Sequence, residues 1–195
     1  MDRWDAYISI IHTGPAFPGT QAKPIARSGT AAGVDGCVII RRMTERLPCH
    51  ITVAAVIEHE GRFLFVEETD AGQRVLNQPA GHLDTGEDLT EAVVREVLEE
   101  TRLAFTPEAA LGCDLLELAS GAVILRVSFC GTSAPAPSPP PRDPAIHDLH
   151  WLTPEMAERD WPLRSPLVMR SIQRYRDGLR LPLAAVGGLV RASAP

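Results

Sequence analysis

The stretch Gly81-His-Leu-Asp-Thr-Gly-Glu-Asp-Leu-Thr-Glu-Ala-Val-Val-Arg-Glu-Val-Leu-Glu-Glu-Thr-Arg-Leu103 decides how the chain is read. In its second half Leu89, Ala92, Val93 and Val97 recur at the three- and four-residue spacing that gathers apolar side chains on one helix face. Thr85 followed three residues later by Asp88 resembles a capping box, so the spacing predicts a helix from Glu87 to Thr101. At about 100° per residue, Glu96, Glu99 and Glu100 fall within an arc of roughly 100°. Three carboxylates therefore crowd one side. Like charges so close repel, and the chain's single lysine, Lys23, lies far upstream. Either the face is solvated and laced with ion pairs, or a hard divalent cation sits among the carboxylates, and magnesium suits oxygen ligands. Arg95 can pair with Glu91 and Glu99, four residues to either side, and so hold a carboxylate in place.

On the N-terminal side, Ile51 to Ile57 and Arg62 to Val66 are β-branched or aromatic runs separated by His59-Glu60-Gly61, a hairpin pattern. A third extended piece runs from Arg74 to Gln78 and stops at Pro79, which cannot donate to a ladder; the chain then turns through Ala80-Gly81. Beyond the helix, Asp114 to Leu118 and Ala122 to Cys130 read as a second hairpin turning at Ser120-Gly121. Thr132 to Pro144 is rich in proline, alanine and serine and is expected to be a stiff, solvated loop. Asp148 to Leu152 reads as a strand, Thr153-Pro-Glu caps a short helix, and Ser165-Pro-Leu opens a longer one reaching Asp177, with Gly178 as its stop. The order of elements implies a mixed α/β fold of the α+β type.

At 195 residues and 45% apolar content, one core is expected rather than two. The expected organisation is a poorly ordered extension over residues 1–47, one domain over 48–190 and a tail over 191–195. Met43 offers an alternative start, which would make the upstream segment a start-site artefact. A net charge of −6 and a pI near 5.5 argue against a nucleic-acid-binding face, so a polyanionic substrate needs a cation brought to it. Cys37, Cys49, Cys113 and Cys130 lack the C-x-x-C spacing of zinc cages and redox pairs, and are expected to be reduced. No membrane-length apolar run or signal core is present, so a cytoplasmic protein with no membrane partner is expected. The sequence leaves the oligomeric state open.

The full pattern from Gly81, a glycine, five residues, Glu87, seven residues and then Arg95-Glu-Val-Leu-Glu-Glu-Thr-Arg-Leu103, resembles the Nudix box. One position departs: Arg102 stands where that box has glycine. Ile51-Thr-Val-Ala, Val66-Glu-Glu-Thr69, Asn77-Gln-Pro-Ala-Gly-His-Leu83, Leu163-Arg-Ser-Pro-Leu-Val168 and Tyr175 to Leu183 further resemble the NudJ-type phosphatases. The resemblance covers roughly His50 to Leu189 and leaves out the upstream extension.

That resemblance implies a Nudix fold, a mixed β-sheet sandwiched between helices, with Glu96, Glu99, Glu100 and the Gly81 carbonyl as ligands of magnesium, or of manganese in its place. Arg95 and Glu87 would orient them, and Glu96 or Glu99 would be the base. The implied activity is hydrolysis of a phosphoanhydride in nucleoside tri- or diphosphates and small diphosphates, including the pyrimidine diphosphate precursor of thiamin. Alternatives are an ADP-ribose hydrolase and a Nudix-fold nucleotide-binding module without turnover. Leu118 to Gly121 hold neither the proline nor the tyrosine that would favour ADP-ribose or dinucleoside polyphosphates. Asp143 and Asp148 are loop acids that either are solvated or approach the metals. Arg164, at a helix start, is either structural or a phosphate ligand. His82 is expected to anchor a loop, and Trp151 and Trp161 to be core residues rather than stacking platforms.

Overall fold

The computed structural model of the protein describes residues 48–140 and 142–192. The expectations for residues 1–47 fall outside the described residues. The first hairpin joins β1 (Cys49–His59) to β2 (Arg62–Asp70) through Glu60 and Gly61, with φ of 50° and 77°. Two successive positive φ values match the right-handed twist of the flanking strands, which is why a glycine stands there. Strand β3 (Gln73–Asn77) follows through Ala71 and Gly72 in the same way.

Ala80 and Gly81 do not form the expected turn. They begin a three-residue strand, β4 (Ala80–His82), that pairs antiparallel with Thr52 to Ala54 of β1, because a partner is needed along that stretch of β1. Helix α1 (Leu89–Thr101) comes next. Strands β5 (Leu103–Glu117) and β6 (Val123–Pro135) are longer than the sequence pattern indicates. Pro107, Glu108 and Gly112 interrupt the alternation of β5, and the ladder absorbs them as register shifts at Pro107/Ala109 and Ala110/Gly112. The start of the proline-rich stretch, through Pro135, is therefore strand rather than loop, with Pro135 terminating β6 opposite Leu103. Strand β7 (Asp148–Leu152) pairs with β2, followed by α2 (Pro154–Asp160), α3 (Leu167–Arg176) and a 3-10 turn (Leu183–Val186).

The strand order is β3-β2-β1-β6-β5, with β4 on β1 and β7 on β2; β1 and β6 run parallel and the other pairs antiparallel. Side chains alternate along β1, so Val53, Ala55 and Ile57 join Ala92, Val93 and Val97 of α1, whereas Val56 joins Val168 and Ile172 of α3. The mixed sheet thus lies between helices, the fold class anticipated above. It seats α1 against one face, with the carboxylates at the helix's C-terminal half.

Candidate active site

The helix starts later than its period suggests. Asp88, not Thr85, is the N-cap: its carboxylate accepts from the Thr90 and Glu91 amides, and the Glu91 side chain accepts from the Asp88 amide. This capping box takes Glu91 away from Arg95, correcting the expected pair. Glu87, left outside the helix, accepts from the Asp84 amide at 2.7 Å and from Arg95 Nε and Nη2 at 2.9 and 2.6 Å. Arg95 also donates to Glu96 Oε1 at 2.7 Å, to the His82 carbonyl at 2.9 Å and, more loosely, to Glu99 Oε2 at 3.3 Å. The guanidinium so ties the loop before the helix to its acidic face. The Glu87 hydrogen bond is the main reason the Arg95 pKa is raised and the Glu87 pKa lowered.

The three helix carboxylates differ in environment. Glu96 is fully buried, Glu100 is 6% exposed, and the Glu99 side chain keeps 39% of its surface. A Cβ on Gly81 would fall inside the Glu96 carboxylate, so the seating of that carboxylate against β4 requires glycine. Glu100 accepts from the Ala80 amide at 2.9 Å, yet burial first, and then the Glu96 charge, push its pKa well up. Glu68 and Asp143 act on it in the same direction. Arg102 ends the helix in the left-handed region, with φ 65° and its N–H donating to the Leu98 carbonyl.

Of the two loop acids, Asp143 comes to this cluster: its amide donates to the Glu99 carbonyl at 2.9 Å. Asp148 lies elsewhere, grouped with Glu67 and His150 on β2 and β7. Arg164, two residues before the Pro166 that caps α3, pairs with Asp70 at 2.5 Å and lies 3.9 Å from Glu68. His82 packs edge-on to His50 and offers its carbonyl to Arg95. Trp161 packs against the α3-side core, while Trp151 is 37% exposed, less buried than expected. Cys130 is buried and Cys49 and Cys113 are exposed, all three as free thiols.

A buried polar group beside the helix carboxylates was not singled out from sequence: Glu68, Asn77, Gln78 and Arg126. The Asn77 amide donates to Glu68 at 3.0 Å, and Gln78 donates to the Val168 carbonyl and Ser171 hydroxyl. Glu68 is raised by burial, partly offset by Arg164. The available signal was a lone arginine inside the apolar run Ala122 to Cys130.

A family model of the NUDIX domain matches residues 48–172, which includes β4, α1 and the loop between them. The chain belongs to the Nudix family. Phosphatase NudJ of Escherichia coli K12 is 38% identical over 138 residues, 71% of this chain and 90% of that protein, and the Shigella boydii counterpart gives the same figures. A NUDIX hydrolase from Nitrosomonas europaea has a solved structure that superposes with a TM-score of 0.66 at 40% identity, covering 74% of this chain and 97% of that one. The chain is accordingly a Nudix hydrolase of the NudJ type. The family generally works with a divalent metal, and the Nudix-box residues fit one: the donors are hard carboxylate oxygens, two are buried side by side, and Arg95 alone cannot neutralise all three.

Proposed function

We propose that this Nudix hydrolase requires magnesium, which manganese can replace, and cleaves a phosphoanhydride in nucleoside tri- or diphosphates and small diphosphates such as the pyrimidine diphosphate precursor of thiamin. The observation that carries the reading is the seating of Glu96 and Glu100 behind the Gly81–Ala80 backbone, where two buried carboxylates repel each other and a proton or a bound cation relieves the repulsion. Glu96, Glu99 and Glu100, with the Gly81 carbonyl, would hold the metal. When bound, it supplies neutralisation of the diphosphate charge, polarisation of a phosphoryl oxygen and acidification of a water.

The chain's own groups do the rest. Arg95, fixed by Glu87 and the His82 carbonyl, orients Glu96 and Glu99. Glu99 is the better proton acceptor of the two candidate bases, because its carboxylate is partly exposed and, among the described residues, held only by the long Arg95 contact. Asp143, anchored to the Glu99 carbonyl, adds negative charge beside the set. Arg164 holds β2 to the segment before α3 and in that position lends positive charge to the cleft. The Leu118 to Gly121 window is the tip of the β5–β6 hairpin, closed by the Leu118 amide on the Ala122 carbonyl.

The test is a phosphate-release screen over nucleoside tri- and diphosphates and small diphosphates, with magnesium, with manganese and with chelator. Release from at least one diphosphate that disappears with chelator is expected. Release that survives complete chelation would sink the reading.

A further inference from the structure

Strand β6 carries a charged residue in the middle of its buried stretch. Arg126 is 5% exposed, and among the described residues its hydrogen bonding amounts to one long contact, Nη1 to Asn77 Oδ1 at 3.4 Å, with Nε lacking a partner. Glu68 and Glu100 act on it through space, and neither makes a hydrogen bond to it among the described residues; one oxygen of each is held elsewhere, Glu68 Oε1 by Asn77 and Glu100 Oε2 by the Ala80 amide. Across the parallel ladder, Thr52 of β1 is its register partner, so both side chains leave the sheet from one face. Thr52 is fully buried, and its hydroxyl also lacks a partner among the described residues.

Two buried polar atoms without partners on register-paired residues are costly, and sheet packing alone would place apolar residues there, as it does at Ala54, Val56 and Cys130 on the same face. Burial lowers the Arg126 pKa to about 10, which leaves it protonated at neutral pH. A charged guanidinium with free donors, next to a hydroxyl, suits an anionic oxygen, and phosphate above all. Arg126 reaches Asn77, whose side-chain amide donates to Glu68, and Thr52 is also the register partner of His82 in β4, the residue after Gly81, so the pair lies beside the carboxylate group.

We propose that Arg126 and Thr52 form a phosphate subsite, taking the oxyanion of the phosphoryl group on the far side of the scissile anhydride from the metal-binding carboxylates. The inference rests on the phosphohydrolase reading of the cleft. It makes the enzyme selective for substrates with a second, ionised phosphoryl group.

The full chain is tested with inorganic phosphate as the probe and chelator present, against chloride at equal ionic strength, so that the outcome does not depend on the metal. Phosphate is expected to raise the unfolding temperature of the parent. Thr52→Val and Arg126→Gln should lose most of that rise, and Arg126→Lys should keep part of it. With magnesium and a nucleoside diphosphate, Arg126→Gln should raise KM about tenfold or more while changing kcat less, and Lys should recover part of the loss. Thr52→Val preserves volume and removes a partnerless hydroxyl, so it should fold even if Arg126→Gln does not, and then it decides alone. A parent without a phosphate-dependent rise overturns the subsite, as does a folded Thr52→Val with the parent's rise and KM. If the parent releases no phosphate from any diphosphate, the hydrolase reading of its substrate fails instead, while the phosphate-induced rise still decides the subsite.

Discussion

At the residue scale, the site depends on a side chain that is missing. Gly81 packs so closely on the Glu96 carboxylate that any Cβ must displace that buried carboxylate. Gly81→Ala is expected to cost about 1 to 3 kcal/mol of stability, the usual range for overpacking, and to lower turnover by displacing Glu96. Urea unfolding and phosphate release measured on the same preparation check both parts; a variant matching the parent in each would show that the backbone yields without consequence. Glu100→Gln keeps an oxygen for the Ala80 amide and removes the charge, so the protein should stay folded while turnover falls by at least about two orders of magnitude, as when a metal ligand is lost. Near-parental turnover at saturating magnesium would remove α1 as the metal site. The helix carboxylates were legible in sequence because helical period and residue type suffice to group them. Arg126 and Thr52 were not, because their proximity comes from the pairing of β1 with β6, some seventy residues apart in the chain, and strand alternation alone does not identify which neighbour a residue faces.

At the element scale, α1 illustrates how boundaries escape a reading that gets the helix itself right. Two overlapping S/T/D-x-x-D/E patterns compete at its start, and the one whose side chains both reach their amides, Asp88 with Glu91, prevails. At its other end the helix closes on a left-handed cap, φ 65°, formed by arginine where the family's box has glycine. Strand β5 was half hidden for a related reason: its bulges break the alternation that reveals strands, although the ladder with β6 continues past them. The cap yields a prediction. A non-glycine residue in the left-handed region costs on the order of 1 kcal/mol, and a cation beside the last helix carbonyls returns roughly 0.3 to 1 kcal/mol at low salt. Arg102→Gly should therefore change the unfolding free energy by less than about 1 kcal/mol and leave metal dependence and substrate order intact. Chemical denaturation beside the phosphate-release assay decides it, and a gain in turnover of about tenfold would mean that arginine distorts the carboxylates just before it.

At the scale of the whole molecule, the sheet holds two hydrophobic cores on its two faces, and the acidic group gathers where β4, α1 and β2 meet between them. The fold class was legible because hairpins, a long amphipathic helix and closing helices each have a local signature; the depth to which the carboxylates sink was not, since it depends on β4 approaching α1 through Gly81. That depth has a thermodynamic consequence. Glu100 is raised above its ordinary value of 4.5, first by burial and then by Glu96, and Glu68 is raised by burial as well. In the unfolded chain both ionise at the ordinary value. As pH rises from there, the unfolded chain releases protons that the folded chain retains, so it binds fewer protons and stability falls until pH passes the raised folded values. The contribution is complete below the ordinary carboxylate value and lost at high pH. Glu87, lowered mainly by Arg95, has the opposite sign, but its stabilisation is complete above 4.5 and adds no slope at higher pH. With chelator present, the parent should therefore lose unfolding temperature relative to Glu100→Gln as pH rises above the ordinary carboxylate value, with the gap widening until the raised folded value is passed. Magnesium should raise the parent's curve, most at the alkaline end where the ligand is ionised, and move Glu100→Gln much less. Thermal unfolding of both proteins across this range, with chelator and with magnesium, measures the effect. Parallel curves with an equal magnesium response would mean that Glu100 neither carries the buried charge nor binds the cation.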